Sequence, residues 1–163
     1  MENNLSIKIC GINNKETAKV CDDVDYVGFV FYQKSTRFVT AFQAKEISKF
    51  LPKTAKKVGL FVNANLDLIE HITEFVNLDF IQLHGNENLS TIKALKQRLN
   101  KPIIKAIPID SSKDVEMSKK FEPFCEMILF DTKINNPKIK GGTGTSFNWN
   151  LLKKYSSKKK WML

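Results

Sequence analysis

The chain has 163 residues, 42% of them hydrophobic and 26% charged, enough for one packed domain over 1–163 and too few for two comfortable ones. It shows no apolar run of membrane-spanning length and no signal-peptide core after the early acid of "MENNLSIKIC". Three cysteines are too few, and odd in number, for a disulfide framework, so reduced thiols in a cytoplasm are expected and membrane association is not. The net charge of +9 is carried by lysines spread along the chain. Without a helix-turn-helix, zinc-finger or aromatic RNA-binding pattern it reads as solvated helix faces rather than a nucleic-acid surface, though it would favour a small anionic substrate.

In chain order, strand and helix patterns alternate. "LSIKIC" (5–10) is a short apolar run, followed by a helical segment, "NKETAKVC", that starts at an Asn cap. "YVGFVF" (26–31) is continuously apolar, as a strand covered on both faces must be. Thr40 precedes "AFQAKEISKFL", whose Ala44, Ile47, Phe50 and Leu51 share a helical face. "KVGLFV" (57–62) is the third strand, and the next helix sets Leu68, Ile69, Ile72, Phe75 and Val76 on one stripe. "DFIQLHG" (79–85) is the fourth strand, with a helix turning Ile92, Leu95 and Leu99 inward. "KPIIKAI" (101–107) is the fifth, with Pro102 tolerated at its start. A weaker helix over 111–121 leads to "EMILFD" (126–131), then a long polar loop, the short helical stretch "FNWNLLKKY", and "KKWML" (159–163) as the opening of a seventh strand.

Such alternation means a parallel sheet with right-handed crossovers. An open doubly wound sheet and a (β/α)8 barrel both fit, and both place the site at the carboxyl ends of the strands. "CGINN" after the first strand is neither a dinucleotide fingerprint nor a P-loop. The polar residues at the strand ends are Cys10, Arg37, Asn63, Gln82 with His84, and Asp131. Each has a plain structural reading: a packed thiol for Cys10, a turn or helix cap for Asp131, a satisfied structural histidine for His84. "GGTG" (141–144) is either a flexible turn or a row of backbone N–H groups suited to a phosphate.

Taken together, "KICGI", "DYVGFVFYQKSTRFV", "VGLFVN", "FIQLHGNE", "LFDTK" and "GGTGTSFNW" resemble the successive strand ends of the phosphoribosylanthranilate isomerase family, from Leu5 onward. The resemblance implies a (β/α)8 barrel and an Amadori rearrangement in tryptophan biosynthesis. In that reaction N-(5-phosphoribosyl)anthranilate becomes 1-(2-carboxyphenylamino)-1-deoxyribulose 5-phosphate. An acid protonates the furanose oxygen as the ring opens to an iminium, and a base takes the proton from the adjacent sugar carbon. The resemblance implies Asp131 as that acid and Cys10 as that base, with no metal or organic cofactor. It places Arg37 on the anthranilate carboxylate, and Gly141, Gly142, Thr143 and Gly144 in the phosphate site. Gln82 and His84 are carried over as members of the motif, behind the catalytic pair. A thiol of ordinary pKa about 8.5 needs activation to serve as a base, and a carboxyl of ordinary pKa near 4 is mostly ionised at neutrality. The acid is therefore expected to be raised, by burial and by a nearby thiolate.

Family members continue through a seventh and an eighth strand–helix unit, whereas this chain ends within strand seven. That reads as about six units plus the start of the seventh, with unpaired edges at strands one and seven. From it follow the expectations of a chain inactive alone and of partnership with a second copy or a complementing C-terminal fragment. The alternatives are a non-catalytic fragment and another phosphate-binding barrel or open-sheet protein.

Overall fold

The computed structural model describes residues 5–133 and 146–163. Its strands are β1 (Lys8–Cys10), β2 (Tyr26–Val30), β3 (Lys56–Phe61), β4 (Phe80–Leu83), β5 (Ile103–Ile109), β6 (Met127–Thr132) and β7 (Lys160–Met162). Between them run α1 (Lys15–Lys19), α2 (Ala41–Ser48), α3 (Leu66–Val76), α4 (Leu89–Arg98) and α5 (Ser112–Ser118), and a single 3-10 turn, Trp149–Leu152, precedes β7. The strands form one sheet in the order β1-β2-β3-β4-β5-β6-β7, and every neighbouring pair is parallel. A doubly wound sheet reverses its order at a switch point. This one never does. It is an open, curled (β/α) sheet of the barrel type.

Short polar side chains start the helices. Asn14 accepts from the Thr17 amide, Asn65 from Leu68 and Asn88 from Thr91. Thr40 and Gln43 form a reciprocal capping box at α2, so two of the helix's orphan donors are satisfied at once. None of the helices among the described residues is long and apolar enough to cross a membrane.

Because side chains alternate across a strand, the register divides the sheet into two faces. On the outer face Val27, Phe29, Phe61, Ile81, Leu83, Ile103, Ile107, Ile128 and Phe130 pack with Ala44, Ile47, Ile69, Ile72 and Val76 from the helices. On the inner face a smaller cluster joins Tyr26, Val58, Ile104 and Met127, flanked by Phe80, Leu129 and Met162. Cross-strand partners link this inner row, with Cys10 opposite Gly28, Gly28 opposite Val58 and Gln82 opposite Ile104.

Three expectations need correction. The buried stripe of α3 is Ile69, Ile72, Thr73 and Val76, while Leu68 and Phe75 are exposed. Phe75 is covered instead by the Lys45 ammonium, 4.0 Å from its ring centre, where a cation over an aromatic face is favourable. In α2 the helix closes at Ser48, so Phe50 and Leu51 pack on the core from the following turns. α5 ends at Ser118, short of the expected 121.

Candidate active site

At the carboxyl end of β1 the chain turns through Gly11, whose φ of +89° lies in the left-handed region that suits glycine. The turn frees space for Arg37, which arrives from the loop after β2. A Cβ at Gly11 would collide with Arg37 Cδ, and Arg37 Nη1 donates to the Cys10 carbonyl at 3.2 Å. Arg37 as a whole is an exposed residue. The Cys10 thiol lies on the inner face over Gly28, where an added Cβ would come within 2.8 Å of Sγ. Glycine is thus the residue that leaves room for the thiol on this face.

Across the sheet a second group forms at the ends of β4 and β6. Buried Gln82 reaches His84, with Gln82 Nε2 to Nδ1 at 2.8 Å. An amide nitrogen only donates, so Nδ1 accepts, and the neutral ring carries its proton on Nε2. His84 Nε2 then donates to Asp131 Oδ2 at 2.9 Å. The other carboxylate oxygen accepts from the Thr132 amide at 2.8 Å. Burial works to raise the Asp131 carboxyl, but the hydrogen bonds from His84 and from the Thr132 amide act the other way and prevail. The acid expected to be raised is therefore held below the ordinary carboxylate range. The reason is that an N–H donor, rather than a thiolate, is its immediate partner.

The thiol with its neighbouring guanidinium and the carboxylate with its histidine thus stand at the carboxyl ends of strands one and six of one parallel sheet. That is where barrels of this kind carry their chemistry. The family model of N-(5'-phosphoribosyl)anthranilate isomerase matches residues 7–163. The chain belongs to the phosphoribosylanthranilate isomerase family. The isomerase of Rhodospirillum centenum is 35% identical over 165 residues, spanning 98% of this chain and 76% of that protein. The isomerase of Bacillus mycoides is 41% identical over 150 residues, 91% of this chain and 69% of its own length. Among solved structures, the Thermotoga maritima isomerase superposes with a TM-score of 0.83 at 34% identity, covering 97% of this chain and 75% of that one. A phosphoribosylanthranilate isomerase solved with reduced 1-(o-carboxyphenylamino)-1-deoxyribulose 5-phosphate gives 0.75 at 33% identity, covering 91% and 68%.

Within this isomerase-family fold, the described residues bring Cys10 together with Arg37, and Gln82 and His84 together with Asp131. Gly141, Gly142, Thr143 and Gly144 lie outside the described residues. Asn63, noted only as a polar strand end, takes a left-handed turn at φ +50°, and its side chain accepts from the Asn86 amide at 2.7 Å. Sequence reading passed over Lys105 and Glu87, which form an ion pair beneath the His84 turn. Its one available signal was a lysine in the middle of the apolar run "PIIKAI".

Proposed function

We propose that the chain catalyses the Amadori rearrangement of N-(5'-phosphoribosyl)anthranilate in tryptophan biosynthesis, with Cys10 as base and Asp131 as acid. Supporting this is one observation above all: the inner-face register sets the thiol and the carboxylate at the same end of the sheet. The acid delivers its proton to the furanose oxygen as the C1'–O bond breaks and an iminium forms. The thiolate takes the proton from C2', and the C–H electron pair flows into the iminium to give the enolamine. Tautomerisation of the enolamine yields the ketone. The iminium is the electron sink, so the residues need only move protons.

Asp131 starts as a carboxylate under the His84 N–H and must be loaded with a proton. Seating an anionic substrate over it removes water and strengthens the desolvation that already works to raise it. Arg37, exposed beside Cys10, presents a planar fork suited to the anthranilate carboxylate, and the 141–144 segment is assigned to the phosphate. The substrate is a phosphorylated small molecule. One Thermotoga maritima structure is of monomers of a dimeric isomerase. A second copy of this chain is the corresponding partner here, readable by sedimentation.

General acid–base groups each contribute roughly 10²–10⁴-fold. Cys10→Ala and Asp131→Asn are each expected to lower kcat by at least the smaller of these factors, with product affinity near normal. A Cys10→Ala protein that keeps more than about half of wild-type kcat would remove the thiol from the base role, since a loss on the scale of general-base catalysis is required.

A further inference from the structure

Lys105 stands in the middle of β5, on the outer face between Ile103 and Ile107 in the layer where sheet meets helices. Its side chain and that of Glu87 are each only 3% exposed, with Nζ and Oε2 2.9 Å apart. Phe121 lies over the ammonium at 6.0 Å. A buried ion pair is commonly no more stabilising than well-packed apolar residues of the same volume, so its placement calls for another reason. The ammonium's remaining contacts supply it. Nζ donates to the Gly85 carbonyl at 2.7 Å and to the Leu83 carbonyl at 3.3 Å. These are the carbonyls of the residues on either side of His84.

Glu87 completes the grip from the other direction. It accepts from the Gly85 amide at 2.9 Å and from the Asn63 amide at 2.8 Å. The His84 amide donates to the Phe61 carbonyl at 2.8 Å. The backbone entering and leaving His84 is thereby held by two charges that touch neither Cys10 nor Asp131, while the imidazole projects to the inner face. We propose that Lys105, paired with Glu87, is a positioning residue for the isomerase reaction. By holding both carbonyls that flank His84, it sets the direction of the Nε2–H that orients Asp131. Only the kinetic consequence rests on Asp131 being the acid; the placement of the imidazole does not.

Lys105→Met alone strands a buried carboxylate and endangers folding, so the paired variant Lys105→Met with Glu87→Gln is the informative one. The chain has two histidines, His71 and His84, so a ¹⁵N spectrum of labelled histidine reads each ring. In the wild type His84 is expected as the Nε2–H tautomer. In the folded paired variant its signals should move toward a mixture of tautomers while those of His71 stay. With the isomerase substrate, kcat should fall roughly 10- to 100-fold, the scale of a small misplacement of catalytic groups, with KM changed less than about three-fold. In a His84→Ala background the same pair of substitutions should cost less than about two-fold more, because the two act through one unit. His84 signals identical to wild type in the folded paired variant would overturn the proposal. So would a full additional loss of kcat in the His84→Ala background, which would make the ion pair a support of the fold alone. If instead the Cys10 and Asp131 variants proved active, the acid–base reading would fall while the tautomer measurement still decided the positioning.

Discussion

At the scale of single residues, the site depends on what stands behind each charged group. Arg37 is held over Gly11 and tied to the Cys10 carbonyl, which leaves its fork free for a carboxylate. A charged hydrogen-bonded pair contributes about 1.5–3 kcal/mol, or roughly 10–150-fold in affinity. Arg37→Ala should therefore raise KM by about that factor with a smaller change in kcat, and Gly11→Ala should reproduce part of the effect by displacing the same side chain. Steady-state kinetics with the anthranilate-derived substrate measures both, and an unchanged KM would make Arg37 a structural residue. His84 controls a different property. It lowers the Asp131 carboxyl through its hydrogen bond, so His84→Ala should raise that group. A pathway that needs Asp131 protonated and a thiolate present loses rate below the Asp131 pKa, where further acid no longer loads the carboxyl but still removes thiolate. The acid limb of kcat/KM should consequently move to higher pH in His84→Ala. A limb that stayed in place would detach it from Asp131.

At the scale of elements, local chemistry accounts for much of the fold. The Thr40 and Gln43 box anchors α2, and loss of such a cap costs about 1 kcal/mol. Thr40→Ala should lower the urea midpoint accordingly with an unchanged slope. Equal midpoints would mean that α2 is held by its packing alone. The Asn14 cap, the strand–helix alternation and the apolar strands were legible in the sequence, because each is a local preference written within a few residues. The phase of α3 was legible only in part: Leu68 and Phe75 are as apolar as Ile69 and Ile72, and the outer layer of the sheet, against which Ile69 and Ile72 pack, decides which of them is covered. The strand order, too, needed long-range contacts, since alternation alone fits a doubly wound sheet equally well. In the site, Cys10, Arg37 and Asp131 were found through motifs at strand ends. The His84–Asp131 bond spans 47 residues and the Lys105–Glu87 pair 18, distances over which no sequence pattern specifies contact.

For the whole molecule, the two faces of the sheet imply different chemistry for the three free cysteines. Cys10 is partly open on the inner face, whereas Cys21 and Cys125 are sealed in the outer layer at 1% and 2% exposure. Burial pushes the Cys125 thiol up to about 11, against a weaker opposing pull from Lys96, Lys105 and Lys159. That displacement couples folding to pH. Between the ordinary thiol value near 9 and about 11, the unfolded chain releases this proton while the folded chain retains it. The unfolded state then binds fewer protons, and stability must fall as pH rises. The contribution is fully present below about pH 9 and is lost by about pH 11. Two pKa units correspond to roughly 2–3 kcal/mol. Lysines titrate over part of the same window, so the measurement that isolates the thiol is the difference between wild type and Cys125→Ala in urea unfolding at stepped pH. Removing the sulfur leaves a small cavity whose cost does not vary with pH, so the two stability curves should begin offset and converge as the wild type loses its advantage. Curves that stayed parallel across that window would show that Cys125 titrates alike in the folded and unfolded chain, and that the outer layer does not exclude water from it.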